Sequence, residues 1–318
     1  MSEPHFITVD PRFRDFVDVS QAPEVIAQNC VWTEGPVWLD GALFFNDIPN
    51  KRMMRWTEAG GVETALGNSE FANGNTLDAG NRMVSCEHGD RRVIRRHDPM
   101  DPQSVEVIAD RFDGKRLNSP NDVVVKSDGS IWFTDPPYGI NSDIEGYAAD
   151  SEIGGCYVFC ATPDGKMHAV ATDFDKPNGR GFSPDVTRLY VAVSGAIRGA
   201  SFPGSIYDLP HHIRVFDVDG VTLTNGRVFA VIAPGVPDGL RVDQDGYVWT
   251  SAQDGIHCLS PEGALMGKIW LPQPTSNICL GGPPGQTMFV TSSDKVYRLE
   301  STRRDAAHIL KDRKRTAS

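Results

Sequence analysis

The sequence predicts an all-β chain folded as one six-bladed β-propeller. Three observations carry that expectation: turn chemistry throughout, a hairpin unit that recurs, and an interval between units close to the length of a propeller blade. The 318 residues include 31 glycines and 22 prolines, so few stretches remain for an uninterrupted amphipathic helix. Short apolar runs alternate with these breakers. The recurring unit is a polar turn with Gly or Pro, followed by an aliphatic-aromatic pair that ends in small polar residues.

The first copy runs from Leu39-Asp40-Gly41 into Leu43-Phe44-Phe45-Asn46, the second from Leu77-Asp78-Ala79-Gly80 into Met83-Val84-Ser85. The third joins Ser127-Asp128-Gly129 to Ile131-Trp132-Phe133-Thr134, and the fourth joins Ser183-Pro184-Asp185 to Leu189-Tyr190-Val191-Ala192. The fifth joins Gln244-Asp245-Gly246 to Val248-Trp249-Thr250-Ser251, and the sixth Pro284-Gly285 to Met288-Phe289-Val290-Thr291. Asp-Gly between apolar runs is a strong hairpin signal. Anchored on Phe44, Val84, Trp132, Tyr190, Trp249 and Phe289, the units recur every 49 residues or so, about one four-stranded blade.

Six units fill residues 1–318 as a single domain, leaving an N-terminal segment to about residue 25 and a basic tail from about residue 301. One blade cannot bury both of its faces, whereas radial stacking supplies a core and hides sheet edges. Arg91–Arg95 and Ile213–Asp217 alternate as half-buried outer strands should. A β-sandwich built from the same hairpins is the alternative fold.

With 40% hydrophobic and 23% charged residues the composition is that of an ordinary globular protein, and the net charge of −11 disfavours a nucleic-acid partner. The tail from Ser301 to Ser318 is basic and reads as a solvated terminus without a function. Met1 to Asp10 offers acids and a proline where a leader would have basic and then apolar residues, and the longest plain apolar run, Val228–Ala233, is too short for a bilayer. A cytoplasmic protein with no membrane partner is therefore expected. Cys30, Cys86, Cys156, Cys160, Cys258 and Cys279 show no CxxC pairing and read as buried thiols.

Ten to twelve residues before each anchor stand Glu34, Asn73, Asn121, Asn178, Asp238 and Asn277, each a carboxylate or a carboxamide. Innermost strands of a propeller begin near the axis, so equivalent positions in different blades converge there. Two carboxylates with neutral carboxamide oxygens suit one hard divalent cation: Ca²⁺ first, Mg²⁺ or Mn²⁺ next, with Zn or Fe also open. The competing reading of these Asn-Gly and Asp-Gly pairs is turns that need positive φ.

Thr33-Glu34-Gly35-Pro36-Val37-Trp38, Ser119-Pro120-Asn121-Asp122, Pro177-Asn178-Gly179 and Pro237-Asp238-Gly239-Leu240, the last with Asp243, Gly246 and Trp249, resemble four signatures of the gluconolactonase, regucalcin and senescence-marker-protein family. The resemblance spans roughly residues 25 to 300. It implies a six-bladed propeller that opens lactone rings, often of sugar lactones, with one catalytic divalent metal. By motif, Glu34, Asn178 and Asp238 would hold the metal, with Asn121 a further ligand or a substrate contact. Regucalcin-like members carry Arg where Ser119 stands here, so hydroxyl recognition must differ. Asn118–Asp122, Phe133–Gly139, Asn73-Gly74-Asn75 and Cys86–Gly89 look more like the bacterial gluconolactonase branch. That places Asn75, His88, Asn118, Asn121, Asp135 and Tyr138 around the substrate; for His88 a purely structural role stays open.

On this reading Asp238 is also the base that takes a proton from the attacking water. Two alternatives remain: a phosphotriester hydrolase of the same fold, and a noncatalytic calcium-binding or interaction propeller. Other hydrolases fit less well. Gly199–Gly204 misses a GxSxG elbow, Ser194 lacks its first Gly, and no phosphate-binding GxxxxGK[ST] loop occurs. His211 and His212 are expected in a surface loop.

Overall fold

The computed structural model describes residues 5–197, 208–283 and 285–307. Among the described residues, six antiparallel sheets of four or five strands stand around a common axis, besides a two-stranded ribbon of Arg111–Phe112 and Lys115–Arg116. Blade I comprises Thr33–Leu39, Ala42–Asp47, Arg52–Thr57 and Gly61–Leu66; blade II, Ala72–Leu77, Met83–Glu87, Arg92–Arg96 and Val105–Ala109. Blade III comprises Val123–Val125, Ile131–Asp135, Cys156–Ala161 and Met167–Phe174; blade IV, Pro177–Phe182, Arg188–Val193, His212–Asp219 and Thr222–Val231. Blade V contains Leu240–Val242, Val248–Ala252, Gly255–Leu259 and Leu265–Trp270, with Phe6–Thr8 added outside. Blade VI has Thr275–Gly281, Thr287–Ser292 and Lys295–Glu300, and Glu24–Ala27 supplies its fourth strand. Every anchor aromatic or valine of the sequence repeat lies in the second strand of its blade.

The core is divided among the six seams between neighbouring blades. Leu43 and Phe45 pack towards blade VI, while Ala42 and Phe44, on the opposite side of the same strand, pack towards blade II. Trp132 faces blade IV, and its neighbours Ile131 and Phe133 face blade II. Alternation along a strand therefore sends successive side chains into different seams. That is why these strands are apolar on both faces, unlike a half-exposed sheet. The remaining seams hold Tyr190 with Val242 and Trp249 with Met288.

The inner hairpin turns lie together on what we call the lower face. Asp40 and Gly41 adopt φ of 48° and 83°, as their two-residue hairpin demands, while Gly129 and Gly246 take the left-handed position that ends a three-residue hairpin loop. The start of the C-terminal tail is not a frayed end. Ser301 to Ala307 crosses this face, where Arg303 is buried with Nε 2.7 Å from Asp243 Oδ2 and its guanidinium lies against the rings of Phe16 and Tyr247. Asp243 also receives the Trp249 indole N–H at 3.0 Å. Removing Arg303 leaves that buried carboxylate short of a charge partner. Arg303→Ala is expected to cost about 2 kcal/mol of stability, read as a lower urea midpoint; an unchanged midpoint would mean the tail is a passive passenger.

His212 opens a strand of blade IV rather than lying in a loop, while His211 precedes it half-buried. All six cysteines are free thiols, with Cys30 and Cys156 only partly buried. No helix among the described residues is long and apolar enough to cross a membrane. The Gly199–Gly204 near-motif lies outside the described residues.

Candidate functional site

The inner strands begin on the upper face, and their first residues meet around the axis. Glu34, Asn73, Asn121, Asn178 and Asn277 are each buried, and Asp238 is half-buried beside them. Neighbouring strand starts are stitched to one another: Gly74 N–H donates to Asn121 O at 2.8 Å, Gly179 N–H to Asp238 O at 3.0 Å, and Gly239 N–H to Ser276 O at 2.7 Å. Asn277 Nδ2 donates to Glu34 Oε2 at 2.8 Å, closing the ring between blades VI and I.

The glycines after these residues serve close approach rather than turn geometry. A Cβ on Gly179 would fall 2.3 Å from Asp238 O, and one on Gly239 would fall 2.1 Å from Asn277 Cγ. Only Gly35 of this set also has a left-handed φ, 56°. Asn73, Asn178 and Asp238 do not have positive φ, so the turn reading of those Asn-Gly and Asp-Gly pairs does not hold. The sequence reveals the glycines but not this reason, because the obstructing atoms belong to the next blade.

Burial pushes the Glu34 carboxyl up to about 8, against hydrogen bonds from Asn277 and the Gly35 N–H that favour its charge. Asp238 is driven well above the usual carboxylate range, first by burial and then by the Glu34 charge. Two carboxylates thus confront one another at the axis. The nearest guanidinium groups are committed deeper along it: Arg180 Nη1 lies 3.5 Å from Asp122 Oδ2 and Arg241 Nη1 lies 3.9 Å from it. Asp122 belongs to a signature that the sequence offers, whereas Arg180 and Arg241, two and three residues past ring positions, carry no sequence signal for this role.

The donor set around the ring is oxygen only. Glu34 Oε1 and the Asn121 carboxamide accept no hydrogen bond among the described residues, whereas Glu34 Oε2 is fully engaged. Among the described residues no group of three or more His, Cys, Asp or Glu side chains is arranged to hold an ion. Any cation here would rest on two carboxylates and neutral carboxamides. That composition suits Ca²⁺, Mg²⁺ or Mn²⁺ better than Zn or Fe.

Three of the residues expected around the substrate are committed to the protein itself. Asn75 Nδ2 donates to Gly35 O at 2.7 Å and its Oδ1 accepts from Ser85 Oγ at 2.6 Å, so it ties blade II to blade I. Asp135 is fully buried and accepts the backbone N–H groups of Asn118 and Ser119, each at 2.8 Å; burial lifts its carboxyl to about 7. The Asn118 carboxamide bonds Asp135 O, Gly155 O and Ser151 Oγ. Asn75, Asn118 and Asp135 are supports beneath the site rather than free contacts. Sequence cannot distinguish the two, since both uses favour the same polar residues.

Tyr138 stands at the start of a short helix, Tyr138–Asn141. Its hydroxyl is buried without a well-formed hydrogen bond; burial and then the Asp238 charge raise its pKa well above the ordinary value, against the Ser194 and Asn178 side chains beside it. Ser119 holds this helix in place, donating through Oγ to Pro136 O at 2.6 Å and accepting from Gly139 N–H at 2.9 Å. Ser194 Oγ donates to Pro237 O at 2.6 Å and is fully buried; it is a strut, not a nucleophile.

His88 is completely buried, and burial lowers its pKa to about 4. Nε2 faces the Asn73 amide nitrogen at 3.3 Å, which assigns it the acceptor role and leaves Nδ1–H to donate to Glu145 O at 3.0 Å. The neutral ring therefore orients one ring residue and one loop. Between pH 6.5 and 4 the unfolded chain binds a proton at this histidine that the folded chain refuses. Stability is thus fully present above 6.5 and falls as the pH drops towards 4. His88→Gln is expected to remove about 3 kcal/mol of that fall, measured by urea unfolding at stepped pH; parallel profiles would show that His88 is not the group.

The chain matches the model of the SMP-30/gluconolactonase/LRE-like region over residues 32–294. It is 33% identical to a gluconolactonase of Zymomonas mobilis subsp. mobilis, covering 92% of this chain and 84% of that one. A solved gluconolactonase of Xanthomonas campestris superposes with a TM-score of 0.82 at 32% identity, over 93% of this chain and 94% of the other. A regucalcin of Agrobacterium tumefaciens, described as a calcium-binding protein, shares the fold with a TM-score of 0.70 at 17% identity, over 89% and 95% of the two chains.

Proposed function

The chain belongs to the SMP-30/gluconolactonase/LRE-like family, and from that premise we propose that it is a carboxylic ester hydrolase that opens the ring of a sugar lactone at the upper axial site. Glu34, Asn121, Asn178 and Asp238 would hold one divalent cation, calcium before magnesium or manganese. The observation that carries this reading is the pair of mutually opposed carboxylates, Glu34 buried and Asp238 half-buried, with the uncommitted Asn121 carboxamide beside them. A regucalcin of this fold is described as calcium-binding, which agrees with the donor chemistry.

A divalent cation in this site supplies compensation for the negative charge that grows on the lactone carbonyl oxygen during addition. Asp238 takes a proton from the attacking water as its oxygen bonds to the carbonyl carbon. The ring C–O bond then breaks, and the same proton passes to the departing alkoxide, leaving an open-chain hydroxy acid. Glu34 is held against the axis by Asn277 and the Gly35 N–H, so it does not have to reorganise as charge moves. Tyr138 holds its hydroxyl beside Ser194 and Asn178 without a well-formed hydrogen bond, where a substrate oxygen could engage it.

Hydrolysis of an aldonolactone is expected to vanish on treatment with a chelator and to return when calcium alone is restored. Activity that survives complete chelation would overturn the cation-dependent reading. A panel that adds a phosphotriester separates the lactonase from its nearest relative in chemistry, and a protein that binds calcium with no turnover on either class would be a noncatalytic propeller.

A further inference from the structure

The lower end of the axial channel is stoppered by the start of the C-terminal tail. Two small cavities, of about 40 and 50 Å³, lie there side by side, roomy enough for water and far too small for a sugar ring. Their walls take in Val37, Thr76, Val124, Gly181, Val242 and Leu280, one from the inner strand of each blade, so the pair sits on the axis. Arg241, Asp305 and Ala307 line both. Backbone contacts hold the tail in this place: Gln244 N–H donates to Arg304 O at 2.8 Å, and Asp243 pairs with Asp305 in a β-bridge.

Arg241 is a bar across the channel above that stopper. It leaves the inner strand of blade V, donates through Nη1 to Leu240 O at 2.8 Å, and extends Nη2 to 3.5 Å from Asn75 O in blade II, on the far side of the axis. Asp122 Oδ2 lies 3.9 Å from its Nη1, and Asp305 Oδ2 lies 3.9 Å from its Nε. Asp122 is shared with Arg180, so within the channel one carboxylate faces two guanidinium groups. The tail brings the second carboxylate.

This column stands directly beneath the ring. Arg241 follows Asp238 by three residues, about 10 Å along an extended strand, a separation at which unit charges inside a protein interact by more than thermal energy. Its charge favours the ionised form of Glu34. A fixed positive charge that stabilises this carboxylate also repels an ion bound to it. How far the Arg241 charge is neutralised, and how low in the channel it is held, therefore bears on the ring above. We propose that Asp305 is a positioning residue for the cation site: paired with Arg241 at the foot of the channel, it balances that guanidinium and keeps it away from the ring, so that the docked tail tightens the hold on a divalent cation. The inference rests on the cation reading of the ring and not on any particular substrate.

The test follows calcium binding by calorimetry in full-length wild type, Asp305→Asn, Arg241→Gln and the double variant, with urea unfolding of each in the absence of calcium. Asp305→Asn keeps an oxygen for the Ala307 N–H, which Oδ1 accepts at 2.8 Å, and removes the charge. It should raise the calcium Kd about fivefold at an unchanged urea midpoint, whereas Asp305→Glu should stay close to wild type. Arg241→Gln should not weaken calcium binding, and in its background the further change Asp305→Asn should leave the Kd where it is. Equal weakening in both backgrounds overturns the proposal, because Asp305 would then act without Arg241. So does a Kd that rises only in step with a falling midpoint, which would make Asp305 a fastening for the tail, and so does a Kd that does not move. Wild type with no affinity for calcium would bring down the cation reading and this inference together, whereas calcium binding that is indifferent to Asp305 ends the inference alone.

Discussion

Asp238→Asn is expected to lower kcat for lactone opening by about a thousandfold while the propeller stays folded. The substitution preserves shape and one oxygen but removes both the charge and the ability to take a proton from water. Folding should tolerate it, because in the ring Asp238 is a source of repulsion rather than of cohesion: burial and Glu34 both work against its charge, and the contact that locks its strand start uses its backbone oxygen, bonded to Gly179 N–H. Stability should therefore hold or rise slightly. Assays at saturating calcium separate the two roles of the residue. Recovery of kcat at high calcium would leave Asp238 as a ligand only, and an unaltered kcat would remove it from the mechanism.

Gly35→Ala is expected to be the most damaging single methyl group in the ring. Its Cβ would lie 1.9 Å from Asn73 O and 2.8 Å from Asn75 Nδ2, and the backbone there has a φ of 56° that an L side chain adopts at a penalty. Neither obstacle can step aside, because Asn73 O accepts from Asn46 Nδ2 and Asn75 is bonded on both ends. Strain and overpacking together should cost about 2 to 4 kcal/mol. The displaced neighbour is Glu34, whose Oε2 depends on the Gly35 N–H, so calcium affinity should fall with stability. Gly41→Ala is the control: its φ is also left-handed, yet nothing lies within 4 Å of its added Cβ. A Gly35→Ala protein no less stable than the Gly41→Ala protein would show that the seam between blades I and II is looser than the contacts indicate.

These two experiments bear on residues that sequence alone singled out, and the reason is periodicity. Each blade brings its inner strand to the axis in the same phase, so a carboxylate or carboxamide recurring before six hairpins marks one place in space without any knowledge of the turns between. Glu34 and Asp238 were legible in that way. Asn75, Asn118 and Asp135 were not, because local sequence gives the residue type but not whether the side chain meets a ligand or a neighbouring backbone. The loop from Pro136 to Gly155 carries no periodic signal at all; its course is fixed by Phe71, Lys51 and His88, residues of other blades. The docking of Arg303 escaped for the same reason, since its partners Asp243 and Phe16 are far away along the chain.

Closure of the circle by Glu24–Ala27 against Lys295–Glu300 has a temporal consequence. Glu34 and Asn277, which touch in the finished ring, are separated by 243 positions, and contacts of such long range form late and slowly. During synthesis the first five blades can stack while the sixth is still unmade, yet the pocket has no fixed wall until the last sheet zips onto a strand made at the outset. Ion affinity should thus emerge in a single late step of refolding rather than grow blade by blade, and a nascent chain stalled short of blade VI would be a pile of sheets with no chemistry.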